Sequence, residues 1–272
     1  MKKIVGSVAV LSSLLVLMTA PVFAAPTSTI SNRPGIFRGH HRFVKGINSV
    51  ASTNWSGYAA TGNNGSFNNV SSNWVQPVLN CAALPNQNSY SANWVGLDGY
   101  SSSTVEQIGT EADCYNNQPY YSVWYEMYPL NPYEIRTNLT VHPGDQITAN
   151  VQYNAPTYAI VRGRLRQVTV ANYVLKLTNS STGKSFTTTQ SSRINFSRSS
   201  AEVITEAPYS NGVLPLADYG IINYTNSTAN NLPLGSAPGL QNIVMQNPAG
   251  MVSTPSLFDP TNKNFSITWS TT

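Results

Sequence analysis

The sequence predicts an all-β domain, built as a sandwich or a barrel. Ten stretches of the chain are rich in Val, Ile, Thr, Tyr and Trp, the residues that favour strands. Clusters of Gly, Asn, Ser and Pro separate these stretches and are typical of turns. No window shows the 3.6-residue apolar period of an amphipathic helix. Many short strands with frequent turns are typical of β-sandwiches and β-barrels.

The predicted strands follow one another along the whole body of the chain. In order they are Asn54–Ala60, Asn73–Val78, Ser91–Asp98, Tyr120–Tyr128, Gln146–Tyr153, Tyr158–Thr178, Ala201–Glu206, Val213–Thr225, Gln241–Gln246 and Asn264–Trp269. A further extended segment, Val105–Glu111, is read with strand alternation. The body after residue 50 is long enough for one domain with a substantial core.

The N-terminus has the pattern of a secretory signal peptide. Lys2 and Lys3 precede a mostly apolar stretch from Ile4 to Met18, and small residues end the segment at Ala24. A membrane anchor is the alternative, but the apolar stretch is short and interrupted by Gly and Ser. The sequence therefore predicts a signal peptide over residues 1–24 and a secreted, extracellular protein.

Residues 25–50 form a polar, basic extension. The chain carries a formal charge of +4, yet six of its bases and none of its acids lie in the first 45 residues. The rest of the chain contains nine bases and eleven acids, so its formal charge is −2. This distribution argues against nucleic-acid binding by the domain at 51–272. The extension is either disordered, an anion-binding arm, or a propeptide that inhibits the domain.

Cys81 and Cys114 are the only cysteines. In an oxidising compartment, two such cysteines are expected to form a disulfide, and two free buried thiols are the alternative.

The chemistry of the body is narrowed by elimination. Its single histidine, His142, lies in a turn sequence before Pro143. Neither a zinc motif nor a glycine-rich phosphate loop is present, so we expect no metal and no cofactor. Carboxylates, amides and aromatic side chains remain as candidate catalytic groups.

Strand alternation places several of these groups on common faces. Trp94 and Asp98 point one way in their strand, and Trp124 and Glu126 share a face in theirs. An aromatic face that carries carboxylates indicates a substrate groove. Each single aromatic residue could equally be packing in a core.

Alternation also separates Gln107 from its neighbours Glu106 and Ile108. Glu202 and Glu206 share a face, but four residues of strand separate them by roughly 13 Å. A glycosidase pair needs a separation of roughly 5–9.5 Å, so these two alone cannot form one.

Six short motifs in order resemble the glutamic peptidases of family G1, the eqolisins. They are Asn54-Trp-Ser-Gly-Tyr58, Trp94-Val-Gly-Leu-Asp-Gly99, Glu106-Gln-Ile-Gly109, Trp124-Tyr-Glu-Met-Tyr-Pro129, Pro143-Gly-Asp145 and Ala201-Glu-Val-Ile204. The resemblance implies a sandwich of two antiparallel sheets, of the concanavalin A-like or jelly-roll type. It also implies a monomeric endopeptidase that acts on polypeptides.

The resemblance assigns the catalytic pair to Gln107 and Glu202. Trp94, Asp98, Glu126 and Trp124 fall at positions that line the groove of the family. Whether Glu111 or Asp113 takes the place of a further acidic residue stays open.

The proposed roles are physically consistent. A carboxylate near its ordinary pKa can activate water as a base and then protonate the leaving nitrogen. A neutral amide can hold the water and stabilise the oxyanion.

The alternative function is a carbohydrate-binding sandwich or a glycosidase. Arg162, Arg164 and Arg166 alternate onto one face of the predicted strand Tyr158–Thr178, which predicts either a solvated face or an anionic partner. We expect no nucleic acid, and no membrane contact after signal cleavage.

Overall fold

The computed structural model describes residues 43–45, 49–167, 169–191 and 196–270. Within them the chain forms nineteen strands and one short 3₁₀ helix, Leu234–Ser236. The strands are β1 Phe43–Lys45, β2 Val50–Ser52, β3 Trp55–Thr61, β4 Asn69–Val75, β5 Ala92–Leu97, β6 Val105–Tyr115, β7 Gln118–Tyr128, β8 Tyr133–Glu134, β9 Gln146–Asn154, β10 Tyr158–Val161, β11 Arg164–Gln167, β12 Asn172–Asn179, β13 Lys184–Ser191, β14 Ser200–Glu206, β15 Ile221–Ala229, β16 Leu232–Pro233, β17 Gln241–Asn247, β18 Gly250–Pro255 and β19 Phe265–Trp269.

Seventeen of the described strands form one continuous hydrogen-bonded sheet, which folds into two layers. The first layer has the order β2-β17-β3-β14-β5-β6-β7-β8, with β1 paired to β2. The second has the order β18-β19-β15-β4-β9-β12-β13, with β16 paired to β15. The β17–β18 hairpin joins the two layers. Nearly all pairings are antiparallel, and β2 with β17 is a parallel exception.

Alternating side chains from both layers form the main core. Val95 and Val203 of the first layer and Leu175 and Ile222 of the second belong to one fully buried cluster. Two sheets that bury a common apolar face in this way form a β-sandwich. The predicted all-β sandwich is confirmed.

The first layer is also covered on its other face, which we call the site face. A second apolar cluster lies there and includes Trp55, Trp94, Trp124 and Ile204. Because this layer is buried on both faces, β5, β6 and β14 are buried almost throughout. Polar side chains on the site face are therefore held in a protected environment.

The single strand predicted over Tyr158–Thr178 is wrong. The chain forms the separate β10–β11 hairpin there and then enters β12. Arg162 and Gly163 have φ values of 51° and 73°, and two consecutive positive φ values are typical of a tight hairpin turn. Arg162 thus lies in the turn, while Arg164 and Arg166 share one face of β11.

Other differences arise where polarity conceals a strand. β13 carries Ser, Thr and Gln on both faces, so no apolar alternation marks it. The strand predicted from Val213 begins at Ile221 instead, after Gly220 with a φ of 63°. The motif strands agree with prediction to within a residue or two at β3, β5 and β14.

The predicted extension over residues 25–50 contributes to the first layer. β1 lies within it, and Val50 begins β2, whose backbone pairs with β17. The predicted signal peptide, 1–24, lies outside the described residues. Among the residues that are described, no helix has the length and apolar character needed to cross a bilayer.

Cys81 and Cys114 form the predicted disulfide, with their Cα atoms 5.3 Å apart. The bond links the loop after β4 to the end of β6 and closes a loop across a sequence separation of 33 residues. It therefore ties down the strand that carries Gln107.

Replacing both cysteines with serine is expected to lower the free energy of unfolding by about 3–4 kcal/mol, because the open loop raises the entropy of the unfolded chain. Urea denaturation of the double variant measures this. A loss below about 1 kcal/mol would show that the bond does not limit the unfolded chain as the entropy model requires.

Candidate active site

A row of side chains crosses the site face from β14 to β7. The strand register places Glu202 opposite Gly96, Gly96 opposite Gln107, and Gln107 opposite Glu126. Residues directly opposite each other on paired strands point to the same side of the sheet. The register therefore brings together Glu202, Gln107 and Glu126, three of the residues predicted from the sequence.

Gly96 leaves room for Glu202 and Gln107 to approach each other. The two flanking Cα atoms lie two strand spacings apart, about 10 Å. A Cβ at position 96 would lie 2.9 Å from Cζ3 of Trp94 and 3.2 Å from Cβ of Gln107. The absence of a side chain at Gly96 thus opens the floor of the site between the carboxyl and the amide.

A hydrogen bond fixes the amide of Gln107. Its Nε2 donates to Oε2 of Glu126 at 2.6 Å, and all three residues of the row are buried. Oε1 of Gln107 accepts no hydrogen bond from the described residues, nor does either carboxyl oxygen of Glu202. The bond to Glu126 sets the orientation of the amide, and one N–H, the carbonyl and the Glu202 carboxyl remain for another molecule.

Burial raises the pKa of Glu202 well above its ordinary value, and the nearby charge of Asp98 raises it further. The Ser200 hydroxyl and the Tyr100 backbone oppose this shift, although Ser200 forms no hydrogen bond of normal geometry with it. A carboxyl with a raised pKa is a stronger base once ionised, and it holds a proton more readily. Glu202 is thus suited to accept and return a proton.

Tryptophans flank the row on the side towards the end of β14. Trp94 and Trp124 lie on either side of Gly109 in the sheet. A Cβ at Gly109 would lie 2.2 Å from the Asn93 backbone oxygen, so only glycine fits between the two rings. Trp55 packs edge-on against Trp94, with ring centroids 4.9 Å apart. Both predicted tryptophans therefore border the row.

Glu206 and Trp55 were not among the predicted site residues. Glu206 accepts hydrogen bonds from Nε1 of Trp94 at 2.9 Å and from Nδ2 of Asn54 at 3.1 Å. Its alternation with Glu202 was the available signal for Glu206. For Trp55 the available signal was strand alternation, which places it on the same face of β3 as Ala59.

Asp98 holds the segment of chain that leads into β14. β5 ends at Leu97, and Asp98 has a φ of 68°, so strand alternation does not extend to it. Its carboxylate accepts backbone N–H bonds from Arg198 at 2.6 Å and Ser199 at 2.9 Å. Burial raises the pKa of Asp98, and these hydrogen bonds oppose the rise. Asp98 thus anchors the chain that enters β14 just before Glu202.

Two further acids lie on the site face along β6. Glu111 accepts a bond from the Ser122 hydroxyl at 2.6 Å, and Oδ1 of Asp113 accepts one from the Ser91 backbone at 3.3 Å. In the part of the chain that the structure describes, no group of three or more His, Cys, Asp or Glu side chains is arranged to hold a metal ion. His142 lies in an exposed turn, 3.7 Å from Asp145.

Glu106 points away from the site face into the core between the sheets. Its side chain is fully buried, and neither carboxyl oxygen has a normal hydrogen bond to the described residues. Burial raises the pKa of Glu106 well above its ordinary value, and the charges of Asp98 and Glu202 add to the shift. Tyr173 and Arg198 oppose it only in part. Glu106 therefore favours the protonated, neutral form.

Replacing Glu106 with glutamine is expected to make stability less dependent on pH. The pKa of Glu106 is higher in the folded state, so its contribution is fully present below the unfolded value near 4.5 and is lost as pH rises through the folded value. The loss is about 1.4 kcal/mol for each pH unit between the two values. Urea denaturation from acid to neutral pH measures the slope. Gln190→Ala, which removes no titratable group from a half-buried position, is the control and should keep the wild-type slope.

An unchanged slope in Glu106→Gln would contradict the assignment, because it would place the proton uptake on another group.

A β-sandwich that holds carboxyl and amide groups on one protected face has the acid–base groups of a hydrolase. The sequence model of the Peptidase A4 family matches residues 53–256, most of the chain, and the chain belongs to this family, the G1 glutamic peptidases. The protein is by family a glutamic endopeptidase. No curated protein matches the chain significantly.

Solved structures of eqolisins share the fold. Scytalido-glutamic peptidase with a transition state analog inhibitor is 21% identical at a TM-score of 0.63, covering 80% of this chain and 98% of its own. SCP-B with the tripeptide Ala-Ile-His is 20% identical at 0.58, with the same coverage. Aspergilloglutamic peptidase from Aspergillus niger is 21% identical at 0.52, covering 67% of this chain and 99% of its own.

Proposed function

We propose that the protein is a secreted, acid-active endopeptidase in which Glu202 and Gln107 form the catalytic dyad. The observation that carries this proposal is the row Glu202–Gly96–Gln107–Glu126, in which a carboxyl and an oriented amide face each other across a glycine. Family membership supports peptide hydrolysis as the reaction.

Hydrolysis proceeds in two proton transfers. The ionised form of Glu202, which is the minor form in acid because burial raises its pKa, takes a proton from water as the water oxygen bonds to the peptide carbonyl carbon. The carbonyl of Gln107 positions that water, and the N–H not engaged by Glu126 donates to the developing oxyanion. Glu202 then returns the proton to the nitrogen as the carbon–nitrogen bond breaks. No covalent enzyme intermediate is required.

Aromatic and aliphatic side chains form the walls of the site. Trp94 and Trp124 flank the dyad, and the partly buried Tyr100 and Tyr128 pack against the same cluster. These surfaces suit a polypeptide substrate with apolar side chains near the scissile bond. Glu206 accepts a hydrogen bond from the indole N–H of Trp94, and Asn54 donates to the same carboxylate, so Glu206 orients a wall of the site.

Two features favour work in acid. Glu106 and Asp98 both have raised pKa values because of burial, so the folded protein gains stability as pH falls towards their ordinary range. The basic extension before residue 51 carries His40 and His41, which gain charge in acid. We propose that the basic extension inhibits the enzyme, which we take to be a monomer, and that it is removed after secretion. The disulfide is compatible with an extracellular location.

Digestion of casein by the purified protein tests this function. More cleavage at about pH 4 than at about pH 7 is expected, because the raised pKa values of Glu106 and Asp98 make the folded protein more stable in acid. Mass spectrometry of the full chain in acid should show trimming near residues 45–50 in the wild type and none in Glu202→Gln. Retention on a polysaccharide column without proteolysis would favour the carbohydrate-binding alternative instead.

A further inference from the structure

The charges of the chain are strongly segregated. Residues 146–201 contain no Asp or Glu, although they hold most of the bases of the body. The seven bases are Arg162, Arg164, Arg166, Lys176, Lys184, Arg193 and Arg198. All eleven acids lie outside this segment. This segment of the chain, which we call the basic sector, therefore carries positive charges only, and such charges attract an anionic partner through their summed field.

The β10–β11 hairpin concentrates this charge at one place. Arg162 lies in its turn, and Arg164 and Arg166 point to one face of β11. All three arginines are exposed, and none forms an ion pair among the residues that the structure describes. The segment 155–171 around them contains no acid. These charges are available to a partner outside the chain.

The opposite face of the hairpin is mostly apolar, with Gln167 as its polar member. Ile160 pairs with Leu165, and Tyr158 lies on the same side. The exposed fractions of Tyr158, Ile160 and Leu165 are 56%, 75% and 73%. A two-stranded ribbon gains little stability alone, and contiguous exposed apolar side chains mark interaction sites. The hairpin is thus an unpartnered amphipathic ribbon.

We propose that this hairpin docks onto a membrane surface that contains anionic phospholipid. Interfacial elements bury their apolar face about 5–10 Å into the boundary between headgroups and acyl chains. Ile160 and Leu165 would enter that boundary, with Tyr158 at the level where aromatic residues are enriched. A ribbon about 10 Å thick then holds Arg164 and Arg166 at the level of the phosphates, which guanidinium groups bind in a bidentate manner.

The apolar face distinguishes lipid from a soluble polyanion, which would contact only the arginines. An acidic polypeptide is disfavoured for a further reason, which rests on the proposed acid activity. Its carboxylates would be protonated in acid, whereas phosphodiesters stay charged. The sequence alone predicted no membrane contact after signal cleavage, and the hairpin revises that expectation for this surface.

A fluorophore on the hairpin tests the proposal directly. Both native cysteines are in the disulfide, so Ile160→Cys can be labelled at one site with an environment-sensitive dye. Vesicles of phosphatidylglycerol and phosphatidylcholine in equal parts should shift its emission to the blue, and vesicles of phosphatidylcholine alone should not. The dye on Leu257→Cys, at a position 83% exposed, is the control and should not shift.

The arginines are tested in the same labelled protein. Arg164→Glu with Arg166→Glu should weaken the vesicle-dependent shift at least about 25-fold in lipid concentration, about fivefold for each arginine lost. Arg136→Glu with Lys263→Glu makes the same charge change outside the basic sector and should alter it little. Thermal unfolding of each variant verifies the fold.

Three results would overturn the proposal. One is binding of the protein to vesicles without a shift of the dye at position 160. The second is an equal shift with soluble polyphosphate, which would assign the hairpin to a polyanion. The third is an equal shift with polyglutamate, which would assign it to acidic polypeptides. None of these readouts depends on peptide cleavage, so they leave the proposed function untouched.

Discussion

Replacing Gln107 with alanine is expected to lower kcat for peptide hydrolysis by about 10²–10³-fold, the usual cost of removing one oxyanion donor. The amide contributes most when charge develops on the carbonyl oxygen, so KM should change much less than kcat. The variant also removes the hydrogen bond of 2.6 Å that Nε2 of Gln107 donates to Oε2 of Glu126. Steady-state kinetics on an internally quenched peptide in acid measure both constants.

A glutamine in the second layer provides the matched control. Gln190 is half-buried on β13 and bonds to Thr188 and Tyr125, away from the site face. Gln190→Ala should keep kcat within a few-fold of the wild type. A kcat for Gln107→Ala that equals that of Gln190→Ala would remove Gln107 from the dyad.

Much of the fold could be predicted because the buried strands differ clearly in composition from the turns between them. β3, β5 and β14 combine β-branched and aromatic residues with flanking turn residues, and the structure has them close to the predicted bounds. β13 could not be predicted, because its Ser, Thr and Gln side chains lack an apolar period. The β10–β11 hairpin was not predicted because its turn contains only Arg and Gly. Within a long stretch of apolar and basic residues, this pair is a weak indication that the strand ends.

For the site, the sequence could predict which residues of one strand share a face, but not which strands lie side by side. Alternation separated Gln107 from Glu106 and Ile108, and the burial of Ile108 in the main core agrees with that separation. The strand order that places β5 between β14 and β6 is not encoded in local pattern. Without it, Gly96 has no visible role, although it forms the floor between the two side chains.

Asp98 illustrates the same limit. Alternation alone placed it with Trp94, but a residue at the end of a strand with a positive φ no longer follows the pleat. Its bonds to the backbone of Arg198 and Ser199 depend on a contact between distant parts of the chain. Only the folded register reveals this anchoring role.

Replacing Glu202 with glutamine is expected to lower kcat/KM by at least about 10³-fold, since one group supplies both the general base and the general acid. Glutamine keeps the volume of the side chain and cannot accept or return a proton at the required step. The residue is fully buried, so an isosteric change disturbs the packing of β14 little.

Glu106→Gln is the control for this substitution, because Glu106 is an equally buried glutamate whose side chain points into the opposite core. In acid Glu106 is already neutral, so its glutamine variant should keep most of the activity. The most direct test is therefore kcat/KM of the two variants on the same quenched peptide at about pH 4. Activity lost in Glu202→Gln and kept in Glu106→Gln is the predicted result. Near wild-type activity in Glu202→Gln, with the fold intact, would contradict it.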